Sequence, residues 1–147
     1  MTWNEGWRER AIRQITFNCA RCGKCCSKSK IIDLFPEDLN RLTRKFHTGL
    51  GSVVKSFCEP HIAGGRRFMM KGVSPCRFFD NKCKIYCYRP IVCRMTPFLA
   101  GKKIYCDVDF GELVSMDEGV ILDNLVASVG LSKTEVLRYL KYIGAYE

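Results

Sequence analysis

The side chains with the most chemistry to offer are ten cysteines among 147 residues. Four crowd into Cys19-Ala-Arg-Cys22-Gly-Lys-Cys25-Cys26, and Cys76, Cys83, Cys87 and Cys93 make a second group; Cys58 and Cys106 stand apart. Thiolate is a soft donor that selects zinc and iron–sulfur clusters over the hard cations held by oxygen. Successive two-residue spacings let a tight loop turn several sulfurs toward one centre, and Gly23 gives that turn its backbone freedom.

The first three cysteines match the opening of a ferredoxin-like C-x2-C-x2-C run. Ser29 stands where its fourth cysteine belongs, and no proline follows, so this is not a ferredoxin. The remaining sulfurs must come from the distal group, closing a loop of about fifty residues.

The distal block runs Pro75-Cys76-Arg77-Phe78-Phe79-Asp80-Asn81-Lys82-Cys83-Lys84-Ile85-Tyr86-Cys87-Tyr88-Arg89-Pro90-Ile91-Val92-Cys93-Arg94-Met95-Thr96-Pro97-Phe98. Together with the run at 19–26 it resembles the cysteine-cluster proteins with the CxxCxxCC signature (the YkgJ type), described as zinc- or iron-chelating. Flagellin lysine-N-methylases carry a distantly similar cysteine pattern. The resemblance covers roughly residues 15–100. It implies metal binding by Cys19, Cys22, Cys25, Cys26, Cys76, Cys83 and Cys93, with Arg89, Pro90 and Arg94 at its other marked positions. Thr96 departs from the aromatic usual before Pro97, and Cys87 is an addition within the block.

Ligand count bears on the metal. Structural zinc closes with four ligands, so seven cysteines leave one of two such sites short. His47 or His61 is available to fill it, and Cys58-Glu59-Pro60-His61 has suitable spacing, although Pro60 restricts the residue before it. An iron–sulfur reading places four cysteines on one [4Fe–4S] cluster and keeps the others for a second cluster, a redox reserve or the core. The expectation is therefore one [4Fe–4S] cluster or two, with Zn2+ as the alternative, and Cys87 the eighth ligand candidate. Cys58 and Cys106 lie among apolar residues, as small buried hydrophobes do. Arg89 and Arg94 are candidate donors toward cluster sulfurs or an anionic substrate, or partners of carboxylates.

Composition sets the compartment and partner expectations. The N-terminal segment holds no apolar signal run, and no stretch approaches the roughly 18 apolar residues of a membrane span. Cysteines in a cytoplasmic, reducing environment serve metal or redox chemistry rather than disulfides. The net charge of +9 is uneven: residues 1–55 carry 11 cations against 5 acids, residues 56–106 carry 10 against 2, and residues 107–147 carry 3 against 8. Four thiolates around a [4Fe–4S] core leave a residual charge of about −2, which the basic, cysteine-bearing part offsets. The same surface suits an acidic protein partner. The sequence leaves oligomeric state open.

The elements that must position these groups predict an α+β fold: a small, irregular, metal-stapled domain over residues 1–147, with short strands, a hairpin and a C-terminal helical hairpin. An N-terminal helix is expected over 1–14, with Trp3, Trp7 and Ile12 on one side and the tryptophans available for docking. The metal-binding core spans 15–106. Within it, Pro36–Phe46 reads as a helix with Pro36, Glu37 and Asp38 in its first turn; Ser52–Phe57 reads as a shorter one. Arg66–Val73 reads as a strand after the Gly64-Gly65 turn, and 78–86 as a hairpin turning at Asp80-Asn81. Pro90 opens a one- or two-turn helix carrying Cys93, and Ile104–Val108 forms a strand.

The acidic residues 107–147 form the helical hairpin. Ser115 to Glu118 and Ser132 to Glu135 fit the capping box, and Gly130 and Gly144 end the two helices. Leu122, Leu125, Val126 and Val129 line one helix; Val136, Leu137, Leu140 and Ile143 line the other. Residues 125–139 also resemble a helix–turn–helix, which with a cluster would make a redox-sensing regulator. The acidic balance argues against it, because a DNA-reading element neutralises phosphates with Lys and Arg.

The functional expectation is an iron–sulfur protein in electron transfer, or an accessory or maturation component of a larger complex, and more a binding protein than an enzyme. The alternatives are a methyltransferase-like enzyme with a cluster near the methyl donor and a zinc-stabilised scaffold. No Gly-rich loop for a methyl donor is present, and no base is evident for a thiol nucleophile.

Overall fold

The computed structural model describes residues 2–17, 31–62, 64, 67–72, 76–100 and 115–147. The loop of Cys19, Cys22, Cys25 and Cys26, the residue Cys106 and the strand expected at Ile104–Val108 lie outside the described residues. Among those described, six α-helices accompany one three-stranded antiparallel sheet, an α+β fold ending in a helical pair. The chain groups into two compact units, one of Met1–Cys19 with Met95–Glu147, the other of Ala20–Arg94.

In the first unit, helix α1 (Trp7–Thr16) begins after Gly6, whose left-handed φ of 83° suits glycine. The helix starts later than expected, and Trp3 is not on it. Instead the chain's first described residues pair with its last: the Thr2 N–H donates to Glu147 O and the Glu147 N–H to Thr2 O, both 3.0 Å. Trp3 is only 9 % exposed and meets Tyr146 edge-on at 5.1 Å. Trp7 is half-buried under the Arg10 guanidinium, 4.2 Å from its ring. The two tryptophans therefore do not form an exposed docking pair.

Helix α5 (Glu118–Val129) packs on α1, burying Ile121, Leu125 and Val129 rather than Leu122. Its N-cap is Asp117, so Ser115 caps nothing here; the helix opens two residues later than the Ser115 box predicts. Helix α6 (Lys133–Tyr142) follows the box closely, with Ser132 Oγ accepting from the Glu135 N–H at 3.2 Å. Gly130 ends α5 with a φ of 69°. Val136, Tyr139 and Leu140 are buried, and the Tyr139 hydroxyl donates to Leu99 O at 3.0 Å. Buried Gln14 holds the 95–99 turn from both sides: its amide donates to Thr96 O at 3.1 Å, and its Oε1 accepts from the Phe98 N–H at 2.9 Å.

In the second unit, strand β1 (Asp33–Leu34) leads into helix α2 (Pro36–Phe46), then α3 (Leu50–Phe57), β2 (Cys58–Pro60) and β3 (Phe68–Met70). The sheet order is β1-β3-β2, with Asp33 opposite Met69 and Cys58 opposite Met70. Pro60 lies on an edge strand, where its missing N–H is tolerated. The expected strand at 66–73 is thus realised over three residues. The core gathers Ile32, Leu34, Leu39, Leu42, Val53, Cys58, Met70, Cys76, Phe78 and Ile85. The predicted hairpin at 78–86 contracts to a single antiparallel bridge, Phe79 with Cys83. Its turn is closed by the Asp80 N–H donating to Lys82 O at 3.0 Å, with Asn81 at a φ of 60°. A 3-10 turn, Tyr86–Tyr88, and helix α4 (Ile91–Arg94) complete the unit.

Candidate metal centre

Three of the four distal cysteines, Cys76, Cys83 and Cys93, border the apolar core. Cys76 and Cys58 are buried within the apolar core, and Cys83 and Cys93 are half-buried against it. The bridge at Phe79 and Cys83, with the Phe79 N–H donating to Cys76 O at 3.0 Å, folds the 76–83 segment back on itself. Cys93 sits in the third position of α4. Cys87 is exposed on the 3-10 turn. Among the described residues no three of His, Cys, Asp and Glu converge to hold a metal ion. The other four candidate ligands, Cys19 to Cys26, fall outside those residues.

Cys58 occupies a different setting from the other thiols. It is a sheet residue, 5 % exposed and facing Met70. Burial pushes its thiol above the ordinary value of 9.0, with Lys71 partly opposing. A buried sheet position opposite Met70 is the environment of a small buried hydrophobe.

The two arginines are engaged by backbone carbonyls. Arg89 Nε donates to Tyr86 O at 2.8 Å, and its guanidinium lies 3.9 Å from the Tyr86 ring centroid. Arg94 Nε donates to Arg89 O at 2.9 Å and its Nη2 to Cys87 O at 3.0 Å. Both therefore shape the turn that carries Cys87. That turn leads directly into the helix that carries Cys93. His61 Nε2 pairs with Asp33 at 2.5 Å, and His47 is an exposed residue closing α2 in a left-handed conformation.

One determinant of this arrangement went unread in the sequence. Asp38 is 0 % exposed and Arg41 6 %, and their side chains form an ion pair at 2.7 Å. Asp38 Oδ2 also accepts from the Phe35 N–H at 2.9 Å, closing the start of α2. Its Oδ1 accepts from the Ile91 N–H at 2.9 Å, the first residue of α4. Burial raises the Asp38 carboxyl pKa above 3.8, while the Phe35 N–H, Arg41 and the Ile91 N–H pull it down. An Asp three residues after a helix start, with Arg three further on, signals a cap and an ion pair; nothing in the spacing signals Ile91.

The donor set fits a thiophilic metal. The candidate ligands are all sulfur, and the only carboxylate in the 76–94 segment is Asp80, which forms an ion pair with Lys84 at 3.6 Å. A sulfur donor set suits zinc or an iron–sulfur cluster better than cations that prefer oxygen.

Residues 18–110 match the CxxCxxCC family, described as "Putative zinc- or iron-chelating domain", and the chain belongs to that family. It is 30% identical over 102 residues to an uncharacterized protein of Methanocaldococcus jannaschii, an alignment covering 59% of this chain and 47% of that protein. The chain spans about half the length of this relative. No solved structure matches it.

Proposed function

We propose that this chain holds a [4Fe–4S] cluster on cysteines drawn from the 19–26 run and the 76–93 block. In this reading it serves in electron transfer or as an accessory or maturation component of a larger complex, with residues 15–106 as the metal-binding segment. The family assigns zinc or iron chelation; the choice of cluster rests on the donor set. The observation that carries it is that Cys76, Cys83 and Cys93 all border one apolar core. With the four cysteines at 19–26 these make seven sulfurs, one short of two four-ligand zinc sites. The run also repeats the first three ligands of a ferredoxin-like cluster loop.

The residues would divide the work as follows. Cysteines of both groups supply thiolates, and the cluster when bound supplies a one-electron redox couple. The apolar wall of Phe78, Ile85 and Leu42 lowers the local dielectric, which disfavours added charge. The Arg77, Lys82, Lys84, Arg89 and Arg94 cations act the other way and offset the anionic centre. Their surface also suits an acidic protein partner in the cytoplasm. A methyltransferase-like role has only the shared cysteine pattern behind it.

Visible absorption of anaerobically purified variants tests the ligand assignment. Cys22→Ser and Cys93→Ser should bleach a brown protein, and Cys106→Ser should leave it coloured. Bleaching by Cys106→Ser alone would overturn the assignment. A reducible cluster that accelerates no methyl transfer supports the electron-transfer or accessory role over the enzymatic one.

A further inference from the structure

We propose that Asp38 is a positioning residue for the metal centre: its buried carboxylate holds the start of helix α4 and thereby sets where Cys93 stands. The inference rests on the metal-binding reading above and adds a residue outside every cysteine element.

A cap for α2 alone needs one oxygen, and Asp38 Oδ2 on the Phe35 N–H serves it. The second oxygen crosses to Ile91, 53 residues away in sequence. Helix α4 has four residues, far below the length at which a helix sustains itself, so it needs anchoring from outside. Pro90, before it, has no N–H to give, which makes the Ile91 N–H the first donor available. Ile91 is 2 % exposed, where an unmet N–H is costly. Asp38 meets it with a charge-assisted bond, and Arg41 balances that charge at 2.7 Å. Cys93 follows two residues later on the same single turn.

Helix α2 bears on the neighbouring turn as well. It packs against Tyr86–Tyr88, and the Lys45 ammonium lies 5.8 Å from the Tyr88 ring centroid. Arg94 then ties α4 back to that turn through Arg89 O and Cys87 O. The chain of contacts runs from Asp38 through the Ile91 N–H to Cys93, with the Arg94 bonds closing it. A buried ion pair is a poor device for stability alone; one that fixes a ligand-bearing turn has a use that an apolar substitute lacks. Partners that orient a metal ligand in this way alter affinity without touching the metal.

The test is cobalt(II) binding to the metal-free full chain, read by thiolate-to-cobalt charge-transfer absorbance, in a cycle of Asp38→Asn, Cys93→Ser and the double variant. Asp38→Asn should keep its far-UV circular dichroism yet bind cobalt roughly tenfold or more weakly. The double variant should bind no more weakly than Cys93→Ser, because the positioning residue then has no ligand to place. If Asp38→Asn does not fold, Ile91→Pro removes the same bond from the donor side, at a helix position that accepts proline, and should weaken cobalt binding alike. Wild-type affinity in the Asp38→Asn or the folded Ile91→Pro chain overturns the positioning role alone, as do additive losses in the double variant. A wild-type chain that takes up no cobalt overturns both this inference and the metal reading.

Discussion

Cys58 and Cys87 show how one residue type is sorted by its surroundings. Cys58 is buried and its thiol is pushed above 9.0, whereas Cys87 is exposed. Timed iodoacetamide labelling of the metal-free folded chain, read by mass spectrometry, should modify Cys87 well before Cys58; equal rates would contradict the burial assigned to Cys58. The raised thiol also has a pH signature. Above pH 9.0 the unfolded chain loses this proton while the folded chain keeps it, so its contribution to stability falls as pH rises. Cys58→Ala should flatten that alkaline decline in urea titrations. Asp38→Ala breaks the buried ion pair with Arg41 and the bonds to the Phe35 and Ile91 N–H groups, and should cost about 3–5 kcal/mol in the same measurement. The cysteine types and spacing were fully legible in the sequence. The role of Asp38 was not, because its partner is a backbone N–H on a distant turn, and a backbone N–H leaves no mark on residue choice.

Elements were legible where local signals agree. Pro36, the acids of the first turn and the apolar spacing of Leu39, Leu42 and Phe46 define α2 over the span it adopts, although Phe46 stays exposed while Leu39 and Leu42 are buried; Ser132 caps α6 as its box predicts. They misled where two local solutions compete. Ser115 has the box spacing, yet Asp117 lies closer to the apolar residues Val120 and Ile121 and takes the N-cap position. Ser132→Ala should therefore cost about 1 kcal/mol, and Ser115→Ala less than about 0.5 kcal/mol, by thermal or chemical denaturation; equal costs would restore the Ser115 box. The 78–86 segment alternates too little to extend a hairpin, so only Phe79 and Cys83 bridge. At the N-terminus, Gly6 in a left-handed conformation breaks the helix that Trp3 and Trp7 suggest. Trp3 instead packs on Tyr146, a contact between chain ends that periodicity cannot reveal.

At the scale of the whole molecule, the charge is divided as the chemistry asks. The cations concentrate in residues 1–106, which bear the cysteines, and the acids in residues 107–147, so an anionic metal centre is offset where it would be held. No helix among the described residues is long and apolar enough to cross a membrane. The family supplies zinc or iron chelation as the common ground, and the seven cysteines of its pattern fall one short of two four-ligand zinc sites. Chemical analysis of the anaerobically purified wild-type chain decides this most directly, by iron, acid-labile sulfide and zinc per polypeptide alongside the visible spectrum. A cluster-bearing chain should be brown, with about four iron and four sulfide per chain, or twice that for two clusters. A colourless protein with stoichiometric zinc and no sulfide would contradict the cluster assignment.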